Sequence, residues 1–307
     1  MTAPPLVSVV IPCYNATATL PQTLASVRAQ TWPAIEVVAV DDGSRDGTLA
    51  LLRTHEADGF RVLSQANAGA AAARNTAIAV AKGEVLAFLD SDDTWHPEKI
   101  ARQMAVFAAS PNTVMVGCRA EVIRLDGTRE PVNPTREPPI GPDAWRTLLH
   151  HSYYVPSVVA ARTATTRAIG GFTARYRAGE DDQDFCIRLA LRGAAGFVDA
   201  PLVTMHQQPG SLSIVHLSRE HETVLPMILA HCEALADRLS PREMRDILGA
   251  RYSQIGRNIY LGAPAVGARL LLKAIANRHD PLGDLRYLLT AAPWTRRIKR
   301  LLNIGQG

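Results

Sequence analysis

Val85-Leu86-Ala87-Phe88-Leu89-Asp90-Ser91-Asp92-Asp93 runs from five apolar residues directly into three carboxylates. An apolar run of this length without alternation reads as a strand buried on both faces, the pattern of a parallel α/β sheet. The acids fall where that strand ends, and ligands of such sheets bind at the carboxyl ends of the strands. Three carboxylates within four residues repel one another, and a hard divalent cation, which prefers oxygen ligands, would offset that repulsion. A turn leading to a helix N-cap ahead of Pro97 would use the same residue types. The preceding strand favours the metal reading, because it fixes the acids at the sheet's ligand-binding edge.

The surrounding sequence supports the sheet. Leu6 to Pro12, Ile35 to Asp41, Arg61 to Ser64 and Val114 to Arg124 read as further strands. Between them, Leu20, Leu24 and Val27 give an amphipathic helix. Asp46 to His55 and the Ala-rich stretch from Ala68 to Ala81 give two more. Pro97 suits a helix N1 position, with Ile100, Met104 and Phe107 as the apolar face. Strands alternating with helices at this spacing imply a parallel α/β sheet. Glu130 to Pro142 reads as a surface loop. From about Ser218 the pattern is helical, with helices near 218–237, 241–261, 264–276 and 282–291, and the change of pattern puts a boundary near 213.

Three other clusters carry potential chemistry. Asp41-Asp42-Gly43-Ser44 follows a strand; it reads as a turn, or as a carboxylate accepting hydrogen bonds from a base or ribose. Glu180-Asp181-Asp182-Gln183-Asp184 leads into a helix; the acids suit its N-terminus, or one of them is a general base. His206 follows the β-like Leu202 to Met205, where a lone His is structural more often than it is a ligand. Arg74, on the Ala-rich helix, suits a phosphate or is a solvated cation.

Composition limits the alternatives. The 307 residues are 47% hydrophobic and 20% charged, an ordinary globular balance with room for one large domain, alone or with a smaller one. A net charge of +4 is too small an excess to argue for nucleic acid. Cys13, Cys118, Cys186 and Cys232 form no CxxC pair, which fits a reducing compartment. No signal-peptide pattern and no apolar run of spanning length is seen, so a cytoplasmic location is expected. Pro12-Cys13-Tyr14-Asn15 is not the glycine-rich turn that an NAD-dependent dehydrogenase needs. After Asp284 there is no acidic residue, and Trp294 to Leu302 mixes Arg296, Arg297, Lys299 and Arg300 with apolar residues. Such a segment lies on an anionic membrane surface or packs as a solvated terminal helix.

The order of these segments is more specific than any one of them, and with it the chain resembles the family 2 glycosyltransferases. Val7 to Asn15 is similar to that family's opening strand and Val38 to Thr48 to its second. Asn67 to Asn75 and Ala87 to Trp95 are similar to its third and fourth segments. The likeness is strong over residues 6–110 and continues more weakly through Gly170-Gly171-Phe172, the acidic cluster and His206 to Ser213.

The resemblance implies a GT-A fold: a Rossmann-like, mostly parallel sheet sandwiched by helices, catalytic over residues 1–213. A helical region over 214–307 would serve acceptor binding or membrane association. Pro12 and Tyr14 would line the base pocket with Asn15 and Asn67 in the same site, and Asp42 would hydrogen-bond the base, usually uracil. Arg74 would face the diphosphate. Asp92 and Asp93 would hold the ribose and Mn²⁺ or Mg²⁺, with Asp90 supporting the turn and His206 near the metal or diphosphate. The family's Glu-Asp pair precedes an Arg by six residues: counting back from Arg188 makes Asp182 the base, while the literal Glu180-Asp181 pair makes it Asp181.

The implied reaction is a single inverting displacement from a nucleotide-sugar donor, a UDP-sugar, to a carbohydrate or lipid-linked acceptor. It would serve bacterial polysaccharide, lipopolysaccharide or glycolipid synthesis, with peripheral attachment to the inner face of the membrane and no nucleic-acid partner. The chain has no Arg-Trp pair, which processive members carry in a Gln-x-x-Arg-Trp motif, so transfer of one or a few sugars is expected. The alternative on the same fold is a nucleotide-sugar-binding module without a usable base.

Overall fold

The computed structural model describes residues 3–133, 136–176, 180–208, 221–260, 262–277 and 280–290. They fall into two compact units. One takes in the described residues of 1–148, 152–177 and 181–209; the other takes in those of 149–151, 178–180 and 210–307. The boundary expected near 213 and the basic segment Trp294 to Leu302 lie outside the described residues.

The first unit is built on one sheet in the order β3-β2-β1-β4-β8-β6-β9-β5, with β7 against β6. β1 (Val7–Cys13) and β2 (Ile35–Asp41) pair parallel along their whole length, Cys13 opposite Asp41. β3 (Arg61–Ser64) and β4 (Val85–Phe88) flank them, also parallel. All residues of β1 and β4 are buried, as the largely apolar runs predict, Ser8 being the one polar residue among them. Pro12 lies beyond the last β1–β4 pairing, Val10 with Phe88, so on that side its missing N–H removes no ladder bond.

Beyond β4 the sheet is mixed. β8 (Ala160–Arg162) runs antiparallel to both β4 and β6 (Thr113–Ile123). β9 (Ala194–His206) is parallel to β6, while β5 (Thr94–Trp95) and β7 (Arg129–Pro131) pair antiparallel. β7 begins the segment expected to be loop alone; it forms because the Arg124–Thr128 turn folds it back on β6. β5 starts directly after the acidic turn, so its pairing with β9 carries the turn toward His206.

The helices are α1 (Leu20–Arg28), α2 (Thr48–Thr54), α3 (Ala70–Val80), α4 (Lys99–Ala109), α5 (Ala144–His150), α6 (Thr163–Ala168) and α7 (Glu180–Ala190). Two starts differ from the sequence pattern. α2 begins at Thr48 rather than Asp46, because the Asp46 carboxylate accepts from Thr48 N (2.9 Å) and Thr17 Oγ1 (2.6 Å), tying the α1 approach to the helix start. α4 begins at Lys99 and leaves Pro97 in the turn ahead. There Gln30 Oε1 accepts from Ile100 N (3.1 Å) and Thr31 N donates to Pro97 O (2.9 Å).

The second unit is helical: α8 (Val224–Ala234), α9 (Pro241–Ile259), α10 (Pro264–Ala276) and α11 (Pro281–Thr290). α9 opens with a capping box, Ser240 with Glu243, and Pro241 in its first turn. Leu225, Tyr252, Ile255, Ile259, Leu270 and Ala274 form its core. Arg257 pairs with Asp280 and Asp284, and Ser253 Oγ donates to Asp284 (2.7 Å), bracing α9 to α11. Among the described residues no helix is long and apolar enough to cross a membrane. Cys13, Cys118, Cys186 and Cys232 are all free and buried.

Candidate active site

The acidic turn after β4 is held from two directions. From α1, Thr19 Oγ1 (2.8 Å) and Thr23 Oγ1 (3.0 Å) both donate to Ser91 O. From the helical turn Pro156–Val158, Ser157 Oγ donates to Asp93 Oδ2 at 2.6 Å and accepts from Asp90 N at 3.1 Å. Asp93 is buried, and desolvation with the charges of Asp90 and Asp92 pushes its carboxyl well above the usual range. Burial and Asp90 push Asp92 up to about 6. The His206 backbone N–H lies against the Asp93 carboxylate. Its ring Nε2 lies 3.3 Å from Thr94 Oγ1, and burial with the Arg129 charge lowers its pKa, favouring the neutral imidazole.

The carboxyl ends of β1 and β2 carry the second group. Asp42 is buried, and its carboxylate accepts from Gln65 Nε2 (2.8 Å), Ala68 N (2.9 Å) and Gly69 N (2.8 Å). Its backbone O accepts from Asn67 Nδ2 (3.0 Å) and its N donates to Cys13 O (2.8 Å). Asp42 and Asn67 therefore order the loop that launches α3. Three of the roughly four acceptor positions on a carboxylate are filled in this way. Gly43 makes the close crossing possible: at φ +73°, a Cβ there would lie 2.8 Å from Asn67 N. Asn15 takes φ 48° and accepts from Arg45 N (2.8 Å) through Oδ1. Tyr14 beside it is 47% exposed, and Pro12 is buried in β1.

Arg74 links the acidic turn to α7. Its side chain is buried, with Nη2 at 2.6 Å from Asp90 Oδ1 and Nη1 at 3.2 and 3.5 Å from Asp181 Oδ2 and Asp182 Oδ1. The guanidinium lies 5.1 Å over the Phe172 ring. The cation that the resemblance assigns to the diphosphate is thus engaged by three carboxylates, while its Nε is buried without a hydrogen-bond partner. Asp182 borders an apolar hollow formed with Phe88, Phe172 and Phe185. Phe172 and Phe185 stack at 4.0 Å, and Phe88 meets both edge-on. Burial pushes the Asp182 carboxyl well above the usual range, Asp181 adds to this, and Arg74 opposes it. Arg188, from which the base was counted, pairs instead with Asp184 and donates to Ile169 O and Thr173 Oγ1.

Sequence reading missed Ser157 and undervalued Asn75. The Asn75 amide makes two bonds to the backbone of Phe172, Nδ2 to O and N to Oδ1, each 2.8 Å, in the manner of a strand neighbour. Gly171 sits beneath it at φ +70°, where a Cβ would lie 2.3 Å from Asn75 Oδ1. The spelling Gly170-Gly171-Phe172 carried a signal for this contact. Ser157 carried none, since its partners are 64 and 67 residues away.

The family described as "Glycosyl transferase family 2" matches residues 8–164. WfgD of Escherichia coli, named a UDP-Glc:alpha-D-GlcNAc-diphosphoundecaprenol beta-1,3-glucosyltransferase, is 37% identical over 113 residues, 36% of this chain and 45% of that protein. The matched stretch is also under half the length of several other curated relatives. Among solved structures, S. aureus TarS 1-349 in complex with UDP-GlcNAc has a TM-score of 0.69 at 21% identity, covering 90% of this chain and 83% of that one. The mannosyltransferase PcManGT from Pyrobaculum calidifontis, in complex with GDP-Man and Mn²⁺, has a TM-score of 0.59 at 20% identity, covering 99% and 89%. At these identities the structures establish a shared fold, the mixed α/β architecture of GT-A glycosyltransferases.

Proposed function

Because this chain belongs to glycosyl transferase family 2, we propose that it is an inverting, metal-dependent enzyme that moves a sugar from a nucleoside-diphosphate donor to a hydroxyl acceptor. The observation that carries the reading is Arg74, whose guanidinium reaches both Asp90 of the acidic turn and Asp182 on α7. A candidate base therefore lies one side chain away from the candidate donor-holding acids.

The residues fit Mn²⁺ or Mg²⁺. Asp92 and Asp93 offer hard oxygens, burial and then the neighbouring carboxylates push both toward protonation, and the nearby guanidinium pairs with Asp90, Asp181 and Asp182 instead of with them. Among the described residues no group of three or more His, Cys, Asp or Glu side chains is arranged to hold an ion by itself. That suits a metal bound by one or two carboxylates together with substrate phosphates, with the neutral His206 ring as a further ligand. A bound divalent ion would offset the negative charge that develops on the departing diphosphate.

Asp182 is the better base. Its side chain is 18% exposed against 9% for Asp181, so it has more access to an acceptor hydroxyl. Its raised pKa also brings it closer to the operating pH, where a general base is most effective. Asp182 takes the acceptor proton as the hydroxyl attacks the anomeric carbon opposite the leaving diphosphate, and one displacement inverts the centre. Pro12, Tyr14, Asn15, Asp42 and Asn67, gathered at the ends of β1 and β2, would form the nucleotide pocket.

UDP-sugars are the donor class suggested by WfgD and by the ligand of TarS. The name of WfgD also favours a lipid-diphosphate-linked acceptor in cell-surface glycan synthesis. The helical unit and the basic C-terminal segment would then serve acceptor or membrane contact.

The test is hydrolysis and binding of UDP-, GDP- and dTDP-sugars with Mn²⁺ in wild type, Asp93→Ala and Asp182→Asn. Metal-dependent turnover of one donor is expected, with binding lost in Asp93→Ala and only turnover lost in Asp182→Asn. A wild type that binds no nucleotide sugar sinks the assignment, and normal turnover by Asp182→Asn moves the base to Asp181.

A further inference from the structure

Among the described residues, Ser157 is the side chain that bonds both ends of the Asp90–Asp93 turn. It is fully buried, and its hydroxyl has a fixed sense. Asp90 N–H donates to Oγ at 3.1 Å, so the hydroxyl proton is committed to Asp93 Oδ2 at 2.6 Å. Bonds chained in this way polarise one another and strengthen the charged end, and a hydroxyl donating to a carboxylate is among the stronger kinds of hydrogen bond.

The mount is rigid. Ser157 sits in a single helical turn whose own carbonyl is held by Trp95 Nε1 at 2.9 Å. The next carbonyl, Val158 O, accepts from the buried Gln103 Nε2 at 2.9 Å. Ser157 engages Asp93 through Oδ2 while the His206 backbone N–H also lies against the carboxylate, so Oδ1 is the oxygen that Ser157 leaves for an external ligand.

We propose that Ser157 is a positioning residue for the metal: through its bond to Oδ2 it fixes the Asp93 carboxylate so that Oδ1 points to the cation. This rests on the reading of Asp93 as a metal ligand. Hydrogen-bond partners behind metal ligands are worth about 10–100-fold in affinity in other sites, and a similar factor is expected here.

The test uses the full chain and Mn²⁺ itself, with free Mn²⁺ followed by its EPR signal in the presence of UDP. UDP binding without metal is measured alongside by calorimetry. Ser157→Ala is expected to weaken Mn²⁺ binding about 10–100-fold while metal-free UDP affinity stays unchanged, a split that a merely structural role would not produce. Ser157→Cys keeps the shape but offers a weak donor, and it should fall between wild type and Ala; it carries the test if the Ala variant does not fold. Asp93→Ala marks complete loss. Wild-type Mn²⁺ affinity in Ser157→Ala or Ser157→Cys, with loss in Asp93→Ala, overturns the role of Ser157 and leaves the metal site standing. A wild type that takes up no Mn²⁺ overturns the metal reading beneath it and this inference together.

Discussion

Replacing Arg74 by Met keeps most of its apolar stem and removes the one cation that three carboxylates share, at 2.6, 3.2 and 3.5 Å. The guanidinium is 6% exposed and the Asp181, Asp182 and Asp90 side chains 9%, 18% and 30%, so water screens what remains only in part. Removing one partner of a buried ion pair costs about 3–5 kcal/mol. With a urea dependence of about 3 kcal/mol per molar for a unit of this size, the unfolding midpoint falls by about 1–2 M. Tryptophan fluorescence follows it, since Trp32, Trp95 and Trp145 all belong to this unit.

The loss must also depend on pH. Burial and Asp181 already hold the Asp182 carboxyl above the usual range against the pull of Arg74, and the variant raises it further. A group whose pKa is raised by folding contributes stability fully below its unfolded value of about 3.9, and that contribution is lost as pH rises through the folded value. The deficit of Arg74→Met should therefore be smaller at the acid end of the pH range and widen as pH rises through the raised Asp182 value. Equal midpoint shifts at both ends would refute the counter-ion role, as would a total cost under about 0.5 kcal/mol, the usual effect of a surface substitution.

Asp182→Asn should lower kcat about 10²–10⁴-fold with donor affinity retained. Removing a desolvated charge beside Asp181 should also raise the melting temperature by about 2–4 °C, the shift for about 1 kcal/mol in a unit of this size, read by calorimetry. Because a base must be ionised, the acid limb of the kcat–pH profile should lie above the ordinary aspartate value of about 3.9; a limb at or below it would remove Asp182 from the reaction. Asn75→Ala leaves the Phe172 backbone N–H and C=O without their partner and should cost about 2 kcal/mol, measured by urea unfolding. Gly171→Ala should cost at least as much, since it adds an unfavourable φ to an overlap at 2.3 Å with Asn75 Oδ1.

What was legible in the sequence was what short-range pattern encodes. Leu6 to Pro12, Ile35 to Asp41 and Val85 to Leu89 are mostly apolar, interrupted only by Ser8, Glu36 and Asp41, and they became the parallel strands, buried throughout except at the start of β2. The acids after them fell at the carboxyl ends. The helices after 241 started within a residue of their capping and Pro signals. The antiparallel placing of β5 and β8 was not legible, because two- and three-residue strands have no periodicity to detect and depend on what lies across from them. The partners of Arg74 were hidden for the same reason. Nothing local in an Ala-rich helix shows that its Arg meets a helix more than a hundred residues on. Helix phase from Arg188 pointed to Asp182, yet Arg188 is occupied by Asp184; exposure and the aromatic hollow are what now distinguish Asp182.

The four cysteines have a practical consequence. Each is buried, and desolvation raises every thiol pKa, to about 11 for Cys118 and Cys232 and well up for Cys13 and Cys186. Thiolate is the form that reacts, so a maleimide dye added to the folded protein finds no ready native target. Leu125, 61% exposed in the turn between β6 and β7, offers a place for one introduced thiol. Leu125→Cys would take a single fluorophore on the wild-type background, giving a reporter for donor and acceptor binding without first stripping the protein of its own cysteines.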